Sequence, residues 1–192
     1  LHDALPIFSN EQQALALRLV ESLIVVREEG HGGAPAEAAE RILAELDALR
    51  STLQPLTDLR VPTVAVCSEV TGFGQYREIQ PAVFPAGVVT DFVVYCEVRD
   101  FESQKTEDNQ FRTVFDLRTR LINRAGDVIL DLSDENIVDQ CRQKRHDCFI
   151  PRLVRLPASL APGEYVVKVT VSDKLGEKVA ENRATIRIAA WP

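Results

Sequence analysis

The chain of 192 residues is 45% hydrophobic and 27% charged, the values of a globular protein with one ordinary domain and a small appendage. Its net charge of −7 is shared unevenly, with five cations and ten anions in residues 1–60 against seventeen and nineteen in residues 61–192. Neither part has the cationic excess that phosphate contacts need, which argues against nucleic acid as a partner. The longest apolar run, "LIVV" (23–26), is far too short for a membrane span.

The chain holds no Met, so Leu1 is read as an internal position and the sequence as a fragment or processed chain. Residues 1–8 are expected to be a disordered or artefactual start without functional weight. "SNEQ" (9–12) fits a capping box, in which Ser9 accepts from the amide three residues on and Gln12 reaches back. A helix is expected over about 10–28, broken by "EGHGG" (29–33). "PAEAAERILAELDALRSTL" (35–53) is a second helix, with Pro35 suited to its first turn. At about 100° per residue, its Ile42, Leu43, Leu46, Leu49 and Leu53 fall within roughly 120°, an arc that one neighbour can bury. Leu15, Leu17, Leu19, Val20, Leu23, Ile24 and Val26 of the first helix spread over roughly 200°. The second helix cannot cover so wide an arc. Residues 9–54 are therefore read as an α-helical hairpin that meets further helices of a longer chain, another protein or another copy of the chain. Packing on the rest of the chain ranks second. Residues 55–62 are the linker.

From residue 61 the period becomes two. "TVAVCSEV" (63–70), "FVVYCEV" (92–98), "FRTVFDLRTRLI" (111–122), "DVILDL" (127–132), "CFIPRLVRL" (148–156), "EYVVKVTVSD" (164–173) and "RATIRIAAW" (183–191) read as strands, with "NRAG" (123–126) as a hairpin turn. About eight short strands without intervening helices argue for a mainly β fold, an antiparallel sandwich over 63–192. Arg112, Arg118 and Arg120 alternate with core residues and should face solvent, with Asp116 relieving their repulsion. Glycine-rich "TGFGQY" (71–76) precedes no helix, so it offers no helix N-terminus to a phosphate. It reads as a bulged or kinked strand.

"LPASLAPGEYVVKVTVSD" (156–173) resembles the penultimate hairpin of immunoglobulin-like and fibronectin-like bacterial sandwich modules. Pro162-Gly163 makes the turn, Tyr165 starts the strand, and Val167, Val169 and Val171 face one way. With "CSEVTGFGQY", "VVYCEVRDF" and "CRQKRHDCF", residues 63–190 resemble an uncharacterised family of bacterial sandwich proteins of the cell envelope. The resemblance implies an immunoglobulin-like fold, an extracytoplasmic setting and no known catalytic activity.

The stretch "CRQKRHDC" (141–148) gathers two cysteines, a histidine, three cations and an aspartate. Zinc would need paired ligands at short spacing, and no C-x-x-C occurs, so no metal or other cofactor is expected. The acidic run "DLSDENIVD" (131–139) lacks the ligand rhythm of a calcium loop and reads as a solvated turn. His146 and Cys148, two apart on a strand, would sit about 7 Å from each other, beyond hydrogen-bond reach, and no nucleophile elbow is present. Cys96 sits among Phe92, Val94 and Val98 and reads as a buried free thiol. Cys141 and Cys148 are poor disulfide partners if the segment is extended. Cys67 and Cys141 are the pair left, closing a loop of about 75 residues worth roughly 4 kcal/mol. Free buried cysteines are the equal alternative. Arg142, Lys144, Arg145 and Arg152 form the densest basic patch, which reads as a solvated loop and a charged edge strand. The functional reading is a contact for an anion or an acidic partner, including the chain's own Asp134, Glu135 and Asp139.

The expected function is a non-catalytic structural or protein-interaction module of the bacterial envelope. The alternative is a module that binds carbohydrate or another envelope polymer, for which Phe73, Tyr76 and Phe101 are the candidate aromatic platform. A cysteine-dependent enzyme ranks last.

Overall fold

The computed structural model describes residues 10–29 and 35–190. The chain forms two compact units, Leu1–Thr57 and Asp58–Pro192. The first holds α1 (Asn10–Glu29), α2 (Pro35–Leu53) and a 3-10 turn at Gln54–Leu56. Pro35 opens α2, where its fixed φ suits the first turn and its missing N–H would have no helical partner anyway. Ser9 of the expected capping box, and most of the expected break, lie outside the described residues.

The second unit is built from strands. They are β1 (Arg60–Gly72), β2 (Gln75–Glu78), β3 (Val83–Pro85), β4 (Thr90–Arg99), β5 (Gln104–Lys105), β6 (Phe111–Asn123), β7 (Val128–Cys141), β8 (Asp147–Leu156), β9 (Gly163–Asp173) and β10 (Lys178–Ala189). The sequence period finds the long ones, except that it reaches only the first part of β7 (127–132). β2, β3 and β5 have four, three and two residues, too few to show a period. One sheet runs β2-β1-β4-β8. The other runs β3-β10-β9-β6-β5, with β7 also paired to β6. All pairs are antiparallel except β3 with β10. Apart from the short strands, β1, β4 and β8 stand as A, B and E of an immunoglobulin-like sandwich, and β6, β7, β9 and β10 as C, C′, F and G.

The core lies between the sheets. Along β9 the inward residues Tyr165, Val167, Val169 and Val171 are buried, and they face Phe92, Val94, Cys96 and Val98 of β4 within one apolar cluster. The Tyr165 hydroxyl donates to the Ala161 carbonyl at 2.8 Å, which pins the β8–β9 corner as tyrosine does in this fold class. β9 ends on Asp173, a buried carboxylate that accepts the Glu102 N–H at 2.7 Å and the Leu175 N–H at 3.1 Å. Gly176 is required beside it, because an added Cβ would lie 2.6 Å from its Oδ2. At one open side of the sandwich the Asn182 amide donates to the Val61 carbonyl at 2.8 Å. At the other, Arg152 of β8 meets Asp134 of β7 at 2.9 Å.

Two local expectations are corrected. The acidic run 131–139 is the middle of β7 and not a solvated turn. Asn136 takes a left-handed φ of 57°, beside the register shift that separates Phe115 from Leu117, and its N–H donates to Asp116 at 2.8 Å. The bulge hides the period of two. "TGFGQY" carries the expected bulge at Thr71, between the pairs Val70–Tyr76 and Gly72–Gln75, but it is also the β1–β2 hairpin, turning at Phe73-Gly74; Gly74 supplies the positive φ of 67° that the turn requires. Asp116 is also not the partner of the arginine row. Arg118 forms a two-pronged pair with Asp131, with Nε to Oδ1 at 2.8 Å, while Asp116 takes the Asn136 N–H and Lys174.

Candidate functional site

The helix unit places polar side chains at the contact between its helices. Ser22 is buried, and its hydroxyl lies 2.9 Å from both Glu45 Oε1 of α2 and the Arg18 carbonyl, either of which can accept its one proton. Arg18 reaches the same Glu45 oxygen at 3.5 Å. Ala38 is buried, with Ile42 and Leu49 half-buried on the same side of α2 as Glu45. At about 100° per residue, Arg18, Ser22 and the half-buried Val25 share one side of α1. Leu17, Leu19, Val20, Leu23 and Ile24 span roughly 160° centred almost opposite that side. They are 62%, 41%, 52%, 67% and 48% exposed, and Leu43 and Leu46 of α2 are 61% and 49% exposed. α2 meets α1 on the side of Arg18 and Ser22, so it does not cover Leu17, Leu19 and Leu23. Exposed aliphatic residues grouped on one face mark an interaction surface more often than scattered ones do.

A second surface lies on the outer face of the β2-β1-β4-β8 sheet. An outer face should be polar, yet Ala65, Cys67 and Tyr95 form a small buried cluster there. Tyr76 packs on Tyr95 with ring centroids 4.3 Å apart, Phe149 stacks at 5.7 Å, and Phe73 meets Phe149 edge-on at 6.4 Å. The Tyr95 hydroxyl accepts the Gly74 N–H at 2.8 Å and donates to Glu97 at 3.1 Å. Burial, with Glu97 alongside, pushes the phenol up to about 12. Phe73 remains 42% exposed. The structure thus joins Phe73 and Tyr76 of the expected platform with Tyr95 and Phe149. Phe101 is not part of it: it is fully buried in the core, edge-on to Phe115 at 5.2 Å. The sequence signal for Tyr95 was available, since "FVVYC" is apolar at odd and even positions alike, the mark of a strand covered on both faces.

The 141–148 stretch is a loop between the last residue of β7 and the start of β8. Of the expected basic patch, Arg145 pairs with Asp139 at 3.3 Å and Arg152 with Asp134 at 2.9 Å. Two of its four cations therefore serve the chain's own carboxylates. Arg142 and Lys144 have no ion-pair partner among the described residues. Arg152 is half-buried on the inner side of the edge strand, not on a solvated one, because even-numbered positions of β8 face the core.

The structure does not bring Cys67 and Cys141 together. Cys67 lies under the aromatic cluster on the outer face of one sheet, Cys141 ends β7 in the other, and all four thiols are free. Cys67 is on the outer face of its sheet, turned away from the other sheet, and that direction keeps the two apart. Cys96 is fully buried, and its thiol donates to the Ile150 carbonyl at 3.4 Å. Burial pushes Cys96 up to about 12 and Cys67 to about 11, and pushes Cys148 up as well. These three are protonated at neutral pH and are poor nucleophiles. Among the described residues no group of three or more His, Cys, Asp or Glu could hold a metal ion. No helix of the described residues is long and apolar enough to cross a membrane.

No family model matches the chain, and no curated protein matches it. Several solved structures share a loose likeness. A family 123 glycoside hydrolase from Clostridium perfringens is 11% identical over 70% of this chain and 28% of its own length, with a TM-score of 0.40. The CARDB domain of a Pyrococcus furiosus protein, solved with di-metal ions, is 12% identical over 71% of this chain and all of its own, at 0.35. The C-terminal domain of Wzt is 13% identical over 70% of this chain and 74% of its own, at 0.39. The chain thus spans under a third of the hydrolase. At such scores the fold assignment stands on the strand order and the tyrosine corner.

Proposed function

We propose that this chain is a non-catalytic module that binds another protein chain through its helices. The observation that carries the proposal is the polar seam of the helix pair: Arg18, Ser22 and Glu45 meet there, while Leu17, Leu19, Val20, Leu23 and Ile24 of α1 lie exposed on the opposite side. Fully burying an aliphatic side chain is worth about 1.5–3 kcal/mol. Seven that are roughly half exposed therefore leave on the order of 5–10 kcal/mol unrealised until something covers them. Association itself costs about 4–15 kcal/mol, so the surface suits a reversible partner. The test uses the whole chain at its lowest workable concentration. Fluorescence of a hydrophobic dye should be high, and should fall when Leu17→Gln, Leu23→Gln and Leu43→Gln are combined. Equal, weak fluorescence from both proteins would sink the proposal.

The aromatic face supports a second reading, a module for carbohydrate or another envelope polymer. Phe73, Tyr76 and Phe149 present ring surface on which sugar rings can stack. Titration with soluble oligosaccharides should quench tyrosine fluorescence in the parent chain and not in Phe73→Ala. Identical flat titrations would remove this reading. The envelope setting is part of the same proposal, and fractionation of cells that make the protein naturally, with antibody detection of the chain, tests it.

A further inference from the structure

We propose that the outer face of the sheet formed by β6, β9 and β10 binds a small carboxylate that also bears hydroxyls, the chemistry of a sugar acid, through Arg120, Lys168 and Arg183. The site is separate from the helices and from the aromatic face, and it rests on neither reading above. Strand register builds it. Arg120 of β6 lies opposite Lys168 of β9, and Lys168 lies opposite Arg183 of β10, so three cations form one row across three strands. Residues directly opposite in an antiparallel pair share a face, with Cβ atoms about 4.5–5.5 Å apart, and like charges there repel. The row faces away from the core, because Leu121, Val167 and Val169, its neighbours along β6 and β9, are buried in it. The chain's own carboxylates do not neutralise it. Asp131, opposite Arg120 on β7, gives its two oxygens to Arg118, and Glu181 meets Lys168 at 2.7 Å. Arg120 and Arg183 have no ion-pair partner among the described residues, and Arg120 Nε is shielded from water without an acceptor. Arg118, Arg120, Lys168 and Arg183 thus stand against two carboxylates, on a chain whose net charge is −7.

Beside the row lies a groove of about 440 Å³, lined by Ile122, Val166, Lys168, Glu181, Asn182 and Arg183. That volume is toward the lower end of small-ligand sites and suits one sugar-sized ring. Ile122 and Val166, opposite each other in the next row, give it an aliphatic floor on which the C–H face of a ring can lie. Charge assigns the roles. Lys168 is engaged by Glu181, so Arg120 and Arg183 close on the carboxylate from either side of it with charge-assisted bonds. Glu181 keeps lone pairs that accept from ligand hydroxyls. A neutral sugar would leave the two arginines uncompensated, and a hydrocarbon acid would leave Glu181 nothing to accept. A ligand of about a dozen non-hydrogen atoms binds at about millimolar strength at ordinary efficiency.

Amide-shift titration of the nitrogen-15-labelled whole chain at low salt tests the proposal, with sodium glucuronate as probe and glucose, sodium acetate and sodium phosphate in parallel. Glucuronate should shift the amides of residues 120–122, 166–168 and 181–183 along one saturable curve, with a dissociation constant of about 1–10 mM. Raising salt to about 0.5 M should weaken it several-fold. Glucose should give no saturable shift. Acetate and phosphate, which lack the ring, should bind at least about tenfold more weakly. Arg120→Gln and Arg183→Gln should each weaken glucuronate at least about tenfold, with the rest of the spectrum unchanged. Arg183 is exposed, so its loss does not threaten folding, and Arg183→Lys, which keeps the charge, should bind more tightly than Arg183→Gln. No saturable shift with glucuronate overturns the site. Equal curves for glucuronate and phosphate, or for glucuronate and acetate, overturn the ligand class. Unchanged glucuronate binding in both Gln variants overturns the role of the row.

Discussion

The sandwich and the helix pair solve the same problem in opposite ways. In the sandwich, apolar side chains meet between two sheets, and the charged ones either face outward or pair across strands, as Arg118 does with Asp131. In the helix pair, a hydroxyl, a carboxylate and a guanidinium share the contact with Ala38, Ile42 and Leu49, and Leu17, Leu19 and Leu23 of α1 are left outside. The first arrangement is complete by itself. The second is stable with its seam satisfied but leaves apolar surface in water, which is costly unless it is used. The contrast teaches that one chain can hold both a self-sufficient scaffold and a surface whose completion lies elsewhere.

The largest effect expected from this contrast is in the sandwich core. Phe92→Ala removes a ring that is 2% exposed and stacked on Phe84 at 5.3 Å. It should cost about 3–5 kcal/mol in urea denaturation. Leu23→Ala on α1 should cost under about 0.5 kcal/mol when measured on dilute, monomeric chain. Equal losses would erase the distinction between the two regions.

Next come the buried hydroxyls. Tyr95→Phe strips a donor from Glu97 and an acceptor from the Gly74 N–H, so about 1–3 kcal/mol should be lost. Tyr165→Phe breaks one bond to a corner carbonyl and should cost about 1 kcal/mol. If Tyr165→Phe proved the more damaging, the aromatic face would be a loose cover and not a built cluster.

A smaller effect is expected from acid. Hydrogen bonds from Arg155, from the Asn136 N–H and from Arg118 hold Asp91, Asp116 and Asp131, respectively, below the usual carboxylate range. Groups depressed in the folded state lend stability above their unfolded pKa and lose it as pH falls through the folded value. The sandwich should thus weaken progressively below about pH 4, and Asp116→Asn should flatten that slope. A steeper slope in Asp116→Asn would contradict the pairing.

Thiol chemistry should leave stability at neutral pH untouched and still separate the sites. Cys141 is partly exposed, whereas Cys96 is buried and raised to about 12. Alkylation of the native chain should label Cys141 at least about 100-fold faster than Cys96. Because Cys96 and Cys67 are raised on folding, they favour the folded state below their unfolded pKa of about 9. That contribution is lost as pH rises toward about 11–12. Rapid labelling at Cys96 would mean that the core opens readily.

The sequence by itself determined the mainly β class, the long strands other than most of β7, and the two helices, because each rests on a period that local residues carry. Alternation marked β9 as plainly as Tyr165, Val167, Val169 and Val171 could, and Pro35 marked the start of α2. It also marked the width of apolar surface on α1, which is a property of spacing alone. Only the tertiary structure decided which residues meet. Cys67 and Cys141 are both cysteines near strand positions, and nothing in their spacing says that Cys67 is turned away from the other sheet. The acidic run of β7 looked like a turn because a left-handed Asn136 interrupts its period, and its carboxylates find Arg118 and Arg152 only once β6 and β8 lie beside it. Phe101 and Phe73 are each a phenylalanine beside a strand end, yet one is core and the other surface. The polar seam of the helices was hidden for the same reason. Periodicity says how much of a helix is apolar, but the face turned to its neighbour is chosen by contacts such as Ser22 with Glu45, which are distant in sequence and adjacent only after folding.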